Sequence, residues 1–272
     1  MVIVKVQGGI GNQMFIYALS MKLKKCGRYV KLDTSIYGKT EMRQLSQLSQ
    51  AFEKASIEEI HRWQEYKTDI FSSIRRNLGL RKKEHIREKA DYMPEIFEKD
   101  NIYLDGYWQN EKYFKDVRAD ILDFWSTVKI EDEHYLPQIQ NAEAVCVHVR
   151  RGDYLQLDNI YGNICTKEYY QKAMQMIKDN IGNPTFFFFS DDIEWVKENI
   201  KTEKAVYVDT GNSCPEHDLF LMSQCRHHII ANSSYSWWGA WLNKREDKVV
   251  ISPKKWFNDR AYHLASPEWT LL

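Results

Sequence analysis

The chain is poor in the usual signatures of cofactor and metal chemistry. Its five cysteines, Cys26, Cys146, Cys165, Cys214 and Cys225, form no Cys-x-x-Cys pair and are irregularly spaced. That excludes a disulfide framework and the common zinc spacings, and it suits a reducing compartment. No Gly-x-x-x-x-Gly-Lys-Ser/Thr occurs, so there is no P-loop. No Asp-x-Asp occurs, which leaves a carboxylate-held metal on a diphosphate without support. The 38 basic and 38 acidic residues cancel, which argues against nucleic acid held by bulk charge. No run of about eighteen uncharged apolar residues exists, so no membrane-spanning helix is expected. Met1 leads straight into an apolar strand, so no signal peptide is expected and the location reads as cytoplasmic. Neither a repeat nor a low-complexity linker is visible.

What is present is an alternation of strands and helices. Residues 2–6 read as a strand, followed by the turn Gln7-Gly8-Gly9-Ile10-Gly11-Asn12-Gln13, a helix over 14–25 and a strand over 29–32. Residues 40–135 are polar and helical in pattern, with one strand signal at 102–104. Strands are then expected at 145–149, 185–189, 205–208, 229–231 and 249–251, with helices at 167–177, 193–199, 216–225 and 235–241. Strands alternating with helices imply an α/β fold on parallel sheets. The division falls near 140, giving an N-terminal domain over 1–140 and a C-terminal one over 141–272 whose last residues pack back on the first.

The loops at strand ends carry the chemistry. An apolar strand ends in His148-Val149-Arg150-Arg151-Gly152-Asp153-Tyr154. Guanidiniums at a strand's carboxyl end sit where open sheets bind ligands and match phosphate. A surface turn with an ion-paired aspartate explains the segment equally well. Asp191-Asp192 follows the next strand; both are candidate substrate-binding residues, with one of the pair expected to cap the following helix. Asn232-Ser233-Ser234 opens another helix, as a phosphate site or as simple capping. In the first turn, Gly9 and Gly11 begin a Gly-x-Gly-x-x-Gly count that fails at Met14, so the dinucleotide fingerprint is broken. Asn12 and Gln13 there can still turn amides toward a polar ligand. His227-His228 and His217 have no partners at metal spacing and read as structural.

Taken together, His148-Val-Arg150-Arg151-Gly-Asp153-Tyr, Gly8-Gly9-Ile-Gly11-Asn12-Gln13-Met14-Phe15 and Ser233-Ser234-Tyr235-Ser236-Trp237-Trp238-Gly239 closely resemble glycosyltransferase family eleven. This is the α-1,2-fucosyltransferase branch of the α-1,2, α-1,6 and protein O-fucosyltransferase superfamily. The resemblance implies a GT-B architecture, two Rossmann-like domains facing a central cleft, with no required metal or other cofactor. It implies GDP-β-L-fucose as donor, bound by the C-terminal domain, and a galactose-terminated glycan as acceptor, held by the N-terminal one.

Residue by residue, the resemblance places Arg150 on the β-phosphate, His148 near the guanine and Ser234 on the phosphate. Asp218, sixteen residues before Ser234, falls where relatives contact the guanine. Asp158, ten residues beyond His148, falls where relatives place a proposed base; Asp153 is the second choice. Arg151 is a candidate substrate-binding residue beside Arg150, with bracing of the loop as the alternative. The class-distinct rival is a non-catalytic glycan-binding protein, prompted by Trp108, Trp237, Trp238 and Trp241. Residues 75–89 hold a basic cluster. Its more favoured reading is a solvated face, and its minority reading is a peripheral contact with the inner membrane face and a lipid-linked acceptor.

Overall fold

The computed structural model describes residues 1–37, 51–64, 74, 82–127, 130–211, 215–262 and 264–272. The chain divides into two compact units, Met1–Thr127 and Val128–Leu272. The helix Tyr135–Gln140 packs on the helix Pro215–Gln224 and so belongs to the second unit, ahead of the expected division near 140. Cys214 and residues 75–81 of the basic cluster lie outside the described residues.

The first unit is a five-stranded parallel sheet. Its strands are β1 (Val2–Lys5), β2 (Val30–Asp33), β3 (Glu53–Lys54), β4 (His85–Arg87) and β5 (Ile102–Asp105), in the order β3-β2-β1-β5-β4. Central β1 is almost wholly buried and reads as a continuous apolar run, as parallel strands covered on both faces do. The helix Ile10–Lys25 begins four residues before the expected start, directly after Gly9, and ends over three lysines that complement its dipole. The short β3 and β4 were not expected.

The second unit is also all parallel. It comprises β6 (Ala144–Val149), β7 (Thr185–Ser190), β8 (Ala205–Tyr207), β9 (His227–Ile229), β10 (Val250–Ser252) and β11 (Thr270–Leu271). Their order is β11-β10-β9-β6-β7-β8. Counted from β6, this is the 3-2-1-4-5-6 order of dinucleotide-binding sheets. Alternation along β6 sends Val145, Val147 and Val149 to a core with the helix Lys167–Ile181. It sends Ala144 and Cys146 to a core with the helix Pro215–Gln224. Both faces are therefore covered, and the α/β class with two Rossmann-like units is as expected. One expectation changes. The strand set at 229–231 is His227–Ile229, so both histidines lie inside it: His228 bonds Asn243 and His227 faces Glu143. The last residues form edge strand β11 beside β10. Among the described residues, no helix is long and apolar enough to cross a membrane.

Candidate functional site

In a sheet of this order, ligands bind outside the carboxyl ends of the strands, where the winding reverses. Here that point lies between β6 and β9, which pair directly. The loop after β6 carries Arg150 and Arg151, and the loop after β9 carries Asn232 and Ser233.

Arg150 is clamped by two carboxylates. One guanidinium nitrogen lies 2.6 Å from Asp153 and another 2.8 Å from Asp191 at the end of β7. Asp191 also accepts the Arg151 backbone N–H at 2.9 Å, so it fixes the loop and the side chain together. Gly152 makes room for this: a Cβ there would lie 2.5 Å from the Asp191 carboxylate. The Arg150 side chain remains 34% exposed, enough to reach a ligand. Arg151 turns elsewhere. Its Nε donates to Asp192 at 2.9 Å, and its guanidinium stacks 3.8 Å from the Trp195 ring. Asp192 also caps the helix Ile193–Asn199 through Trp195 N–H, so the adjacent aspartates divide the work.

Ser233 stands at the N-cap of the helix Ser234–Leu242 without making a side-chain cap bond. The hydroxyl is thus not spent on the helix, whose N-terminal end favours an anion. Ser236 instead accepts the Ala231 N–H. Tyr154 ties the arginine loop to this one by donating to the Asn232 carbonyl at 2.9 Å.

A deeper, drier region adjoins it. His148 is buried, with Nδ1 enclosed and no hydrogen-bond partner among the described residues, and its ring is 5.6 Å from Tyr235. Burial pushes its pKa down to about 4, with Arg150 adding to the effect and Asp191 opposing it, so the imidazole is neutral. Asp218 accepts the Thr210 hydroxyl at 2.6 Å, and burial raises its pKa. These groups can read donors and acceptors on a flat polar heterocycle.

Asp158 is exposed at the start of the short helix Asp158–Tyr161. The glycine turn belongs to the first unit. Gly8 adopts φ +77°, and a Cβ there would strike Asn12. The Gln13 amide, expected to face a ligand, donates to the Gly8 carbonyl; Asn12 accepts from Gln109 at 2.6 Å. Gly9 caps the helix that contains Gly11. The four tryptophans that prompted a lectin reading are buried, and Trp237, Trp238 and Trp241 pack on one another. No sugar-stacking face remains there. Sequence reasoning missed Trp195 and Tyr154; their spacing from the aspartates and arginines gave no signal.

The chain is 32% identical to the O-antigen biosynthesis glycosyltransferase WbnK of Escherichia coli, with 93% of each chain covered. It is 32% identical to an alpha-1,2-colitosyltransferase of the same organism, over 98% of this chain and 96% of that one. It is 25% identical to galactoside alpha-(1,2)-fucosyltransferase 2 of Rattus norvegicus, over 86% and 65%. Among solved structures, it is similar to POFUT1 in its apo form, at 13% identity and a TM-score of 0.44 over 92% of this chain and 97% of that one. The model of the family described as glycosyl transferase family 11 matches residues 1–272, and the chain belongs to that family as a glycosyltransferase.

Proposed function

We propose that the protein transfers L-fucose from GDP-β-L-fucose to the 2-hydroxyl of a terminal galactose, with inversion and without a metal. The observation that carries this is Arg150, clamped at the switch point opposite the helix start at Ser233. In this reading the second unit holds the donor and the first serves the acceptor. Departure of GDP builds negative charge on the β-phosphate while the sugar becomes oxocarbenium-like. A guanidinium fixed in advance stabilises that charge, and the helix amides add to it. Ser234 contacts the phosphate, and His148 and Asp218 contact the guanine. Asp158 is the proposed base, and Asp153 serves as the counterion of Arg150.

The test is an assay with GDP-fucose and a panel of β-galactosides in EDTA, with the product linkage mapped by NMR. Transfer to the 2-hydroxyl supports the reading, and loss of activity in EDTA removes its metal independence. The colitosyltransferase relative points to a colitosyl donor as the second reading; preference for it would replace the donor assignment. An Asp158→Asn variant of unchanged rate would remove that base. The basic residues of 75–89 are the proposed contact with a lipid-linked acceptor at the inner membrane face. Equal, salt-insensitive activity on soluble and lipid-linked acceptors would remove it.

A further inference from the structure

A loop and a helix of the second unit meet in one hydrogen bond beyond the arginine clamp. Thr210, in the loop after β8, donates to Asp218 Oδ1 at 2.6 Å, and Asp218 stands in the first turn of the helix Pro215–Gln224. Both partners are half-buried, so Asp218 remains within reach of a ligand. Both are anchored on the start of the helix Tyr135–Gln140. His217 Nε2 lies 2.7 Å from Asp132, whose carboxylate also accepts the N–H groups of His134 at 3.1 Å and Leu136 at 2.9 Å. The Asp209 N–H donates to the Tyr135 hydroxyl at 3.0 Å. The residue before Thr210 and the residue before Asp218 are thus tied to one short segment. Tyr235 secures the other side by donating to the Pro215 carbonyl, and its ring lies 5.6 Å from His148.

A charged carboxylate only accepts hydrogen bonds, whereas a protonated one sets a donor beside an acceptor. Burial raises the Asp218 pKa; the Thr210 hydroxyl and His217 act against burial, and Asp209 adds to it. The hydroxyl therefore favours the charged form and fixes the plane of the carboxylate, with lone pairs on both oxygens left to accept. Purine bases differ in what they present to such a group. Guanine offers two adjacent donors, N1–H and the 2-amino group. Hypoxanthine keeps the first and lacks the second. Adenine puts an acceptor at N1. An acceptor-only carboxylate fits guanine, loses one bond with hypoxanthine and opposes a lone pair on adenine.

We infer that Thr210 is a specificity-determining residue of the donor site: anchored with Asp218 on the start of the helix Tyr135–Gln140, its hydroxyl keeps Asp218 an acceptor, so that guanine nucleotides are taken and adenine nucleotides are turned away. The inference rests on the proposed contact of Asp218 with the guanine. Its test is calorimetry on the full chain at neutral pH with GDP, inosine diphosphate and ADP. Wild type should bind GDP about tenfold more tightly than inosine diphosphate, the effect of one hydrogen bond to a charged group, and ADP at least about a hundredfold more weakly. Thr210→Val keeps the shape without the hydroxyl. It should weaken GDP about tenfold and narrow the ratio of GDP to inosine diphosphate affinity to about twofold. Thr210→Ser should keep both wild-type values. Tyr135→Phe, which removes the anchor of Asp209 away from the ligand, should narrow the ratio in the same direction. An unchanged ratio in Thr210→Val, or a serine variant as poor as the valine one, would overturn the inference. A ratio unmoved in Tyr135→Phe would overturn it as well, whether or not the valine variant folds. Asp218→Asn separates the inference from the reading beneath it. Loss of the guanine preference there, with Thr210→Val unaffected, removes the role of Thr210 alone. Full GDP affinity in Asp218→Asn removes the guanine contact and the inference with it, and a wild type that binds no GDP overturns the transfer reading.

Discussion

Arg150 is set in place before any ligand arrives, and single substitutions around it should separate charge from geometry. Arg150→Lys keeps the charge but loses the fork that spans Asp153 and Asp191. Its kcat should fall on the order of 10²-fold, the cost of one preorganised donor, measured with GDP-fucose at saturation. Gly152→Ala drives a methyl against Asp191 and displaces the clamp without touching the ligand. Activity should drop on the order of 10²-fold, as for a misplacement of about 1 Å. Stability should change by no more than about 1 kcal/mol in a urea titration, because the position is exposed. At this scale the sequence showed which loops carry charge but not how the charges pair. An aspartate cap was expected from one of Asp191 and Asp192, and Asp192 supplies it. That Asp191 serves Arg150 across the sheet was invisible, because the pairing joins positions 41 apart through strand register.

The helix that starts after Ser233 offers a test of what its serine is for. An N-cap serine replaced by alanine ordinarily costs about 1 kcal/mol. Here the side chain makes no cap bond, so Ser233→Ala should change stability by less than about 0.5 kcal/mol. GDP affinity should fall about tenfold by calorimetry if the hydroxyl serves the anion. Element boundaries were legible where packing enforces periodicity. Both β6 and the helix Lys167–Ile181 were found because their apolar residues build one core. Strands β3 and β11 were not, since they are two-residue exposed edges whose pairing is made by a neighbour's backbone. The helix Ile10–Lys25 was started late because its glycines read as turn, although burial of Ile10 and Gly11 keeps them helical.

Across the molecule, donor binding should register as added stability. GDP at a hundred times its Kd, in EDTA, should stabilise the fold by about 2.7 kcal/mol in calorimetry, and no shift would count against the site. Acid should do the reverse. The unfolded chain takes up a proton on His148 near pH 6.5, and the folded chain only near 4. The stabilisation is complete above pH 6.5 and is lost as pH falls toward 4, by about 3 kcal/mol. Buried His228 shifts in the same direction. Melting at pH 7 and pH 4.5 should show the loss, and His148→Gln should flatten it. Both sheets share a further property. Every strand pairing among the described residues is parallel. Parallel neighbours need a crossover, so none of these pairs can close as a hairpin. Among the described residues there is thus no local hairpin nucleus, and each strand must find its partner across a crossover connection. Refolding from urea should run in milliseconds to seconds or slower by stopped-flow fluorescence, with the buried tryptophans reporting late.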